Sequence, residues 1–166
     1  VCAIVAGVLG VVNELTYRRI DEQKRIKTEK AFSAVLPAAG YEELDAPEGD
    51  TIVDSIHRAT DGSGHVVQVT FSGAQGSITM VVGVDTEYKC TGISIISHAE
   101  TSGLGANAAS SAQVGVDYRN QYIGQGEDMA ITKAGGTIDA LAGATITSRA
   151  ITEAAASAIS AVKSLG

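Results

Sequence analysis

The chain has 166 residues, a formal net charge of −7 and 19% charged side chains. That length suits one domain with a hydrophobic core, and the negative balance argues against a nucleic-acid partner, because phosphate binding needs a basic face. Gly is abundant, Trp is absent and aromatics make up 4%, which points to tight turns and close packing rather than to disorder.

The chain opens on "VCAIVAGVLGVV", Val1 to Val12, a run with no charge. A bilayer span needs about 20 apolar residues, so the run reads as the back part of a membrane helix that continues amphipathically through "NELTYRRIDEQKRI". Ala3, Gly7 and Gly10 would let another helix approach closely. Starting at Val rather than Met, this segment is expected to be N-terminally incomplete. A signal-peptide core is a competing reading, but no small-residue cleavage site follows; a buried helix of a soluble domain is another. Arg18 and Arg19 alone favour a cytoplasmic C-terminal side. The expected division is an anchor helix and stalk over residues 1–30 and a folded domain over 31–166.

Asp21 to Leu36 has helix-forming residues with Ala31, Phe32, Val35 and Leu36 on one side, ended by Pro37 and Gly40. "YEELDAPEGD" reads as an acidic, turn-rich surface, with Glu42, Glu43 and Asp45 facing water. The period then changes to two. "HVVQVTF" alternates at Val67, Val69 and Phe71, "SITMVVGVD" at Ile78, Met80, Val82 and Val84, and "CTGISIISH" is a third strand-like run. The short connections at Gly73–Gly76 and Asp85–Lys89 favour an antiparallel meander. A Gly-, Ala- and Ser-rich stretch follows from Glu100 to Ala112, then a polar stretch with Tyr118 and Tyr122. The strand-like "MAITK" comes next, and an Ala-rich helix from Ser148 to Leu165 carries Ile151, Ala155, Ile159 and Val162 on one face. The expected fold is α+β: an N-terminal membrane helix, then one antiparallel sheet flanked by helices.

The start of the last helix, "DALAGATITSRA" (Asp139 to Ala150), is the first place to look for chemistry. A helix N-terminus has free N–H groups and a partial positive charge that suit a phosphate, and Gly143 and Ala144 leave little bulk in the way. Thr145 or Thr147 could instead simply cap the helix. His57 and His65, among polar and turn-rich residues, read as solvated rather than as metal ligands. Cys2 and Cys90 follow no metal or disulfide spacing and read as buried, unpaired thiols. No metal site is expected.

"DALAGAT" is similar to the flavinylation motif Asp-x-x-(Ser/Thr)-Gly-Ala-Thr of membrane-bound flavoproteins with an FMN-binding domain. In that family the last threonine carries FMN through a phosphoester bond installed by a dedicated flavin transferase, which by position implies Thr145 here. Asp139, Gly143 and Ala144 match, and Thr147 and Ser148 follow the usual continuation with Ile146 between them. Ala142 departs from the motif, which removes one hydroxyl near the phosphate. "SHAETSGLG" resembles the family's His-x-Glu-Thr-Pro-Gly-Leu-Gly segment, which lies against the isoalloxazine ring. His98, Glu100, Thr101, Gly103, Leu104 and Gly105 agree, and Ser102 replaces Pro. Lys133 resembles a lysine placed near the flavin, where its charge would favour the reduced, anionic ring. Asp139 resembles the residue that the transferase requires. The likeness runs from Ser72 to Leu165.

Within the family the chain resembles the G subunits of Rnf-type ferredoxin:NAD⁺ oxidoreductases, which are redox-driven ion pumps. The related C subunits of Na⁺-translocating NADH:quinone reductases share the plan but are longer. The resemblance implies an electron-transfer subunit with one covalent FMN and no independent enzymatic activity. It also implies a single-pass cell-membrane protein with its FMN domain on the extracytoplasmic side, other membrane, iron–sulfur and flavin subunits as partners, and a flavin transferase for maturation. The candidate cofactor residues are then Thr145, Gly143, Ala144, Ile146, Thr147, Thr101, Gly103, Leu104, Glu100 and Lys133. Glu100 could orient a loop amide, Thr101 could donate a hydrogen bond to the ring, and His98 has a structural or a redox role open to it. A lone flavin-dependent reductase is a rival reading, although the chain shows no nicotinamide fingerprint or catalytic dyad. A non-catalytic extracytoplasmic binding domain is another.

Overall fold

The computed structural model describes residues 25–44 and 51–165. The apolar run, Cys2, Arg18, Arg19 and Asp45 lie outside them. Helix α1 (25–35) precedes five strands: β1 (Tyr41–Leu44), β2 (Val53–Ala59), β3 (Gly64–Ser72), β4 (Ser77–Asp85) and β5 (Cys90–His98). Helices α2 (Gln113–Asn120) and α3 (Thr145–Ser164) follow, with 3₁₀ turns at Gly105–Ala109 and Thr132–Ala134. The strands form one antiparallel sheet in the order β1-β2-β3-β4-β5. The compact unit that carries it begins at Ala31. No helix among the described residues is long and apolar enough to cross a membrane.

The alternation read from the sequence sorts the two faces of the sheet. Val67, Val69 and Phe71 on β3 pair with Val82, Met80 and Ile78 on β4. All six lie in the main core with Ile151, Ala155, Ile159 and Val162 of α3. Alanines on that helical face let α3 sit close to the strands. The intervening side chains point the other way, as the two-residue period requires. There Val66 and Val81 meet Ala31, Phe32, Val35 and Leu36 in a second cluster. Thr91 ties the end of α1 to the sheet by donating to the Val35 carbonyl at 2.5 Å.

The structure differs from the sequence reading in several places. Residues 41–44 are an edge strand rather than a turn, with Glu42 and Glu43 facing water as read, held by Tyr41 Oη donating to the Leu36 carbonyl at 2.6 Å and by an Arg58–Glu42 ion pair at 3.0 Å. β2 was not anticipated, since its run "VDSIHRA" carries polar residues at most positions. "MAITK" is not a strand: only Ile131 pairs, in an isolated parallel bridge to Ile138, because the chain turns back at once through Gly135 and Gly136. The polar stretch with Tyr118 and Tyr122 contains α2, and both tyrosines are buried. The last helix starts at Thr145, three residues early, because Ala144 is its N-cap.

His57 and His65 are half-buried strand residues rather than solvated loop residues. Burial lowers the pKa of both; Glu43 opposes this at His57, and Arg58 adds to it at His65. His57 also tilts against Phe32 and shares a 3.1 Å hydrogen bond with Ser55.

The packing generates two predictions. A Cβ on Gly83 would collide with Thr91 Oγ1 and the Val35 carbonyl, so Gly83→Ala should lower stability by about 1–3 kcal/mol, read by denaturant melting. Burial pushes the Cys90 thiol up to about 12. Its peptide should therefore stay unalkylated at pH 8 in native protein and react only on unfolding.

Candidate functional site

Three chain segments meet at one end of the sheet: the β3–β4 turn at Gly73–Gly76, the segment after β5, and the start of α3. They line a cleft of about 410 Å³. Glu100, only 9% exposed, joins them. Its Oε1 accepts from the Gln75 amide at 3.0 Å, and its Oε2 accepts from Thr147 Oγ1 at 2.6 Å. Its own N–H donates to His98 Nδ1 at 3.3 Å. Gly73 and Gly105 give this carboxylate room, because a Cβ on either would strike it. Burial alone would raise the Glu100 pKa. Hydrogen bonds from Thr147 and the Gln75 and Ala74 amides, with a smaller contribution from His98, outweigh it and hold the carboxyl below its ordinary value.

The helix start does not use its hydroxyls as caps. Ala144 is the N-cap with no side-chain hydrogen bond, and the first turn holds no acidic residue. Thr147 is committed to Glu100, and Ser148 Oγ accepts from the Leu141 amide at 3.0 Å. Thr145 is half-exposed at the cleft, and its Oγ1 accepts from Lys133 Nζ at 3.3 Å. Lys133 sits in the 3₁₀ turn that ends at Gly135, whose φ of 86° favours glycine. A Cβ on Gly136 would run into the Ala130 carbonyl. That tight turn brings a cation to the one threonine of the helix start that is not buried.

Eight of the ten expected cofactor residues line the cleft: Glu100, Thr101 and Leu104 on one side, and residues 143–147 on the other. Lys133 reaches it through Thr145, and Gly103 sits beside Leu104 at a φ of 78°. Leu104 and Ile146 are 43% and 68% exposed and give the mouth an apolar rim. Thr101 is exposed, with its carbonyl accepting from the Leu104 and Ala106 amides at 3.2 Å. Asp139 lies elsewhere, on a second cleft shared with Asp117 and Gln121. Sequence reasoning missed Gln75, whose only signal was the glycine pair around it, and, for Ser148, which it did name, the anchoring of Leu141. Among the described residues no group of His, Cys, Asp or Glu is arranged to hold a metal ion.

The fold and site define a small antiparallel α+β domain with a cleft at an uncapped helix start, and comparison with known proteins identifies its family. The family described as "FMN-binding domain" matches residues 73–160, and the chain belongs to that family. It is 29% identical to the G subunit of the ion-translocating oxidoreductase complex of Methanosarcina acetivorans, over 94% of this chain and 88% of that protein. It is 31% identical to the G subunit of the same complex in Stutzerimonas stutzeri, covering 91% and 72%, and in Yersinia pestis, covering 89% and 78%. Among solved structures, it is similar in fold to the C subunit of the Na⁺-translocating NADH-quinone reductase of Parabacteroides distasonis. There the TM-score is 0.51 and the identity 21%, over 66% of this chain and 59% of that one.

Removing the Thr147 hydroxyl should expose the cost of an under-satisfied buried carboxylate. Thr147→Val is expected to destabilise by about 1–3 kcal/mol. Because the folded Glu100 pKa is depressed, its contribution is full above the unfolded value and is lost as pH falls through the folded one. Acid unfolding of Thr147→Val should therefore begin at higher pH than in the wild type. An unchanged acid midpoint by circular dichroism would contradict this.

Proposed function

We propose that this protein is the electron-transfer G subunit of a membrane-bound, Rnf-type ion-translocating oxidoreductase, with one FMN joined by a phosphoester to Thr145. Family membership and G-subunit relatives along nearly the whole chain support the assignment. The observation that carries the attachment point is the split between the two threonines. Thr145 is half-exposed on the cleft beside a lysine, whereas Thr147 is 1% exposed and bonded to Glu100.

The residues present fit such a group. First-turn N–H groups of a helix have no intrahelical acceptor, and here no side chain caps them, so a phosphate esterified to Thr145 meets the positive helix end. The Lys133 ammonium, next to the same oxygen, offsets the phosphate charge; we place it at this end rather than at the ring. Leu104 and Ile146 offer apolar contact to an aromatic ring, and Thr101 and the backbone near Gly103 and Gly105 offer it polar contact. Glu100 holds the ring-side loop to the helix through Gln75 and Thr147. When bound, the FMN ring supplies the electron acceptance and donation, and the protein supplies binding and electrostatics.

The rest of the assignment belongs to the same proposal. Residues 1–30 form an anchor and stalk, residues 31–166 the FMN domain on the extracytoplasmic side, and a flavin transferase that requires Asp139 installs the cofactor. The protein then works only among the membrane, iron–sulfur and flavin subunits of a ferredoxin:NAD⁺ oxidoreductase. Electrophoresis under denaturing conditions tests the attachment. Protein from cells with the transferase should fluoresce under ultraviolet light, Thr145→Ala should be dark, and Thr147→Ala should remain fluorescent. A dark wild-type band would end the proposal, and a signal that follows Thr147 instead would move the attachment site.

A further inference from the structure

Asp139 opens the segment that leads to Thr145, and its main chain is gripped on both sides by one side chain. Its N–H donates to Gln121 Oε1 at 2.7 Å, and its carbonyl accepts from Gln121 Nε2 at 3.3 Å. Gln121 is the C-cap of α2, and α2 is fixed to α3 by buried hydroxyls. Tyr118 and Tyr122 share a hydrogen bond of 2.6 Å, and Tyr122 and Thr152 one of 2.9 Å. Thr152 in turn donates to the Ser148 carbonyl at 2.8 Å. The segment from Asp139 to Ala144 is thus held relative to α3 at two points, by Gln121 at Asp139 and by Ser148 at Leu141.

That segment is a thin wall between two clefts. Gly143 and Ala144 line the cleft of Thr145, while residues 139–142 line a second one, of about 420 Å³, with Gln121 and Asp117. Asp139 is exposed on it. A primary amide is suited to this grip because it donates and accepts at once, whereas a carboxylate only accepts.

We propose that Gln121 is a positioning residue for flavin attachment: its two hydrogen bonds to the Asp139 main chain fix the backbone from which the Asp139 side chain springs relative to the start of α3 and the Thr145 hydroxyl. The inference rests on attachment at Thr145 as proposed above. In the attachment step Thr145 Oγ forms a bond to the phosphorus of the flavin mononucleotide moiety of a pyrophosphate-linked flavin donor. The bond from that phosphorus to the bridging oxygen breaks, a nucleoside monophosphate leaves, and the hydroxyl proton passes to solvent. Donor and acceptor must be aligned for this displacement, and a misplacement of about 1 Å can cost up to ~10²-fold in rate.

The test uses the full chain purified without flavin, the transferase, and flavin adenine dinucleotide as donor. Initial rates of in-gel fluorescence are measured over a range of chain concentrations, at a temperature where melting shows every variant folded. Gln121→Leu should lower kcat/KM by about tenfold or more, and Gln121→Glu, which keeps the acceptor and loses the donor, should fall between it and the wild type. Gly83→Ala, remote from both clefts and destabilised by packing, should react at the wild-type rate. A merely structural role would leave every folded variant at full rate, and that result for Gln121→Leu overturns the inference. If Gln121→Leu does not fold, a wild-type rate for Gln121→Glu overturns it instead. A wild-type chain that takes up no flavin overturns the Thr145 reading itself, whereas normal wild-type uptake with undiminished variants overturns only the role of Gln121.

Discussion

The hydrogen bond from Thr147 to the buried Glu100 carboxylate is the contact on which the site depends. A carboxylate removed from water is costly unless its lone pairs are used, and here each oxygen is engaged by a different chain segment. One oxygen takes the Gln75 amide of the β3–β4 turn, and the other takes the first turn of α3. Since Glu100 itself follows β5, a single side chain fixes three segments that are far apart in sequence. Glycines at 73 and 105 are what allow the approach, because any larger residue would occupy the space of the carboxylate.

That contact also divides the hydroxyls of the helix start by task. Thr147, Ser148 and Thr152 are buried and bonded inward, to Glu100, to the Leu141 amide and to the buried tyrosine pair. Thr145 alone of the four is left half-exposed, with a cation beside its oxygen. The helical wheel does not predict this division, since Thr152 lies seven residues after Thr145 and so almost in line with it, yet is buried. Their inequality comes from what packs against the helix: the sheet and α2 on its inner side, and the cleft at its mouth.

Much of this was legible in the sequence, and the reason differs by feature. The strands with strict alternation, β3 and β4, could be read because the period of two survives wherever one face is buried by a helix and the other by apolar neighbours. The candidate site residues that line the cleft were reached through the likeness of two short words, "ETSGLG" and "DALAGAT", to family motifs. β1, β2 and α2 could not: β1 is a short edge strand, β2 is an interior strand whose polar Asp54, Ser55, His57 and Arg58 break the period, and α2 is short with few buried side chains. For α2 the signal that was passed over is Tyr118 and Tyr122 four apart, a helical spacing, although the helix itself ends at Asn120 and Tyr122 packs from the turn that follows. The partner of Asp139 was also beyond reach. Gln121 meets it only because α2 folds back on the segment before α3, and no local pattern encodes that contact.

The openness of the cleft bears on why a covalent bond would be needed. Small-molecule sites commonly enclose about 70–90% of a ligand's surface, but this one is a shallow mouth with Leu104 and Ile146 standing 43% and 68% exposed at its rim. Deepening it would wrap the ring in protein and move it away from any partner that must exchange electrons with it. The proposed phosphoester at the helix mouth would separate the two demands: retention would be carried at the phosphate end, and the ring end would stay accessible. Under the proposed attachment, the exposed apolar rim of Leu104 and Ile146 would be the side on which one edge of the cofactor stays open to a neighbouring protein.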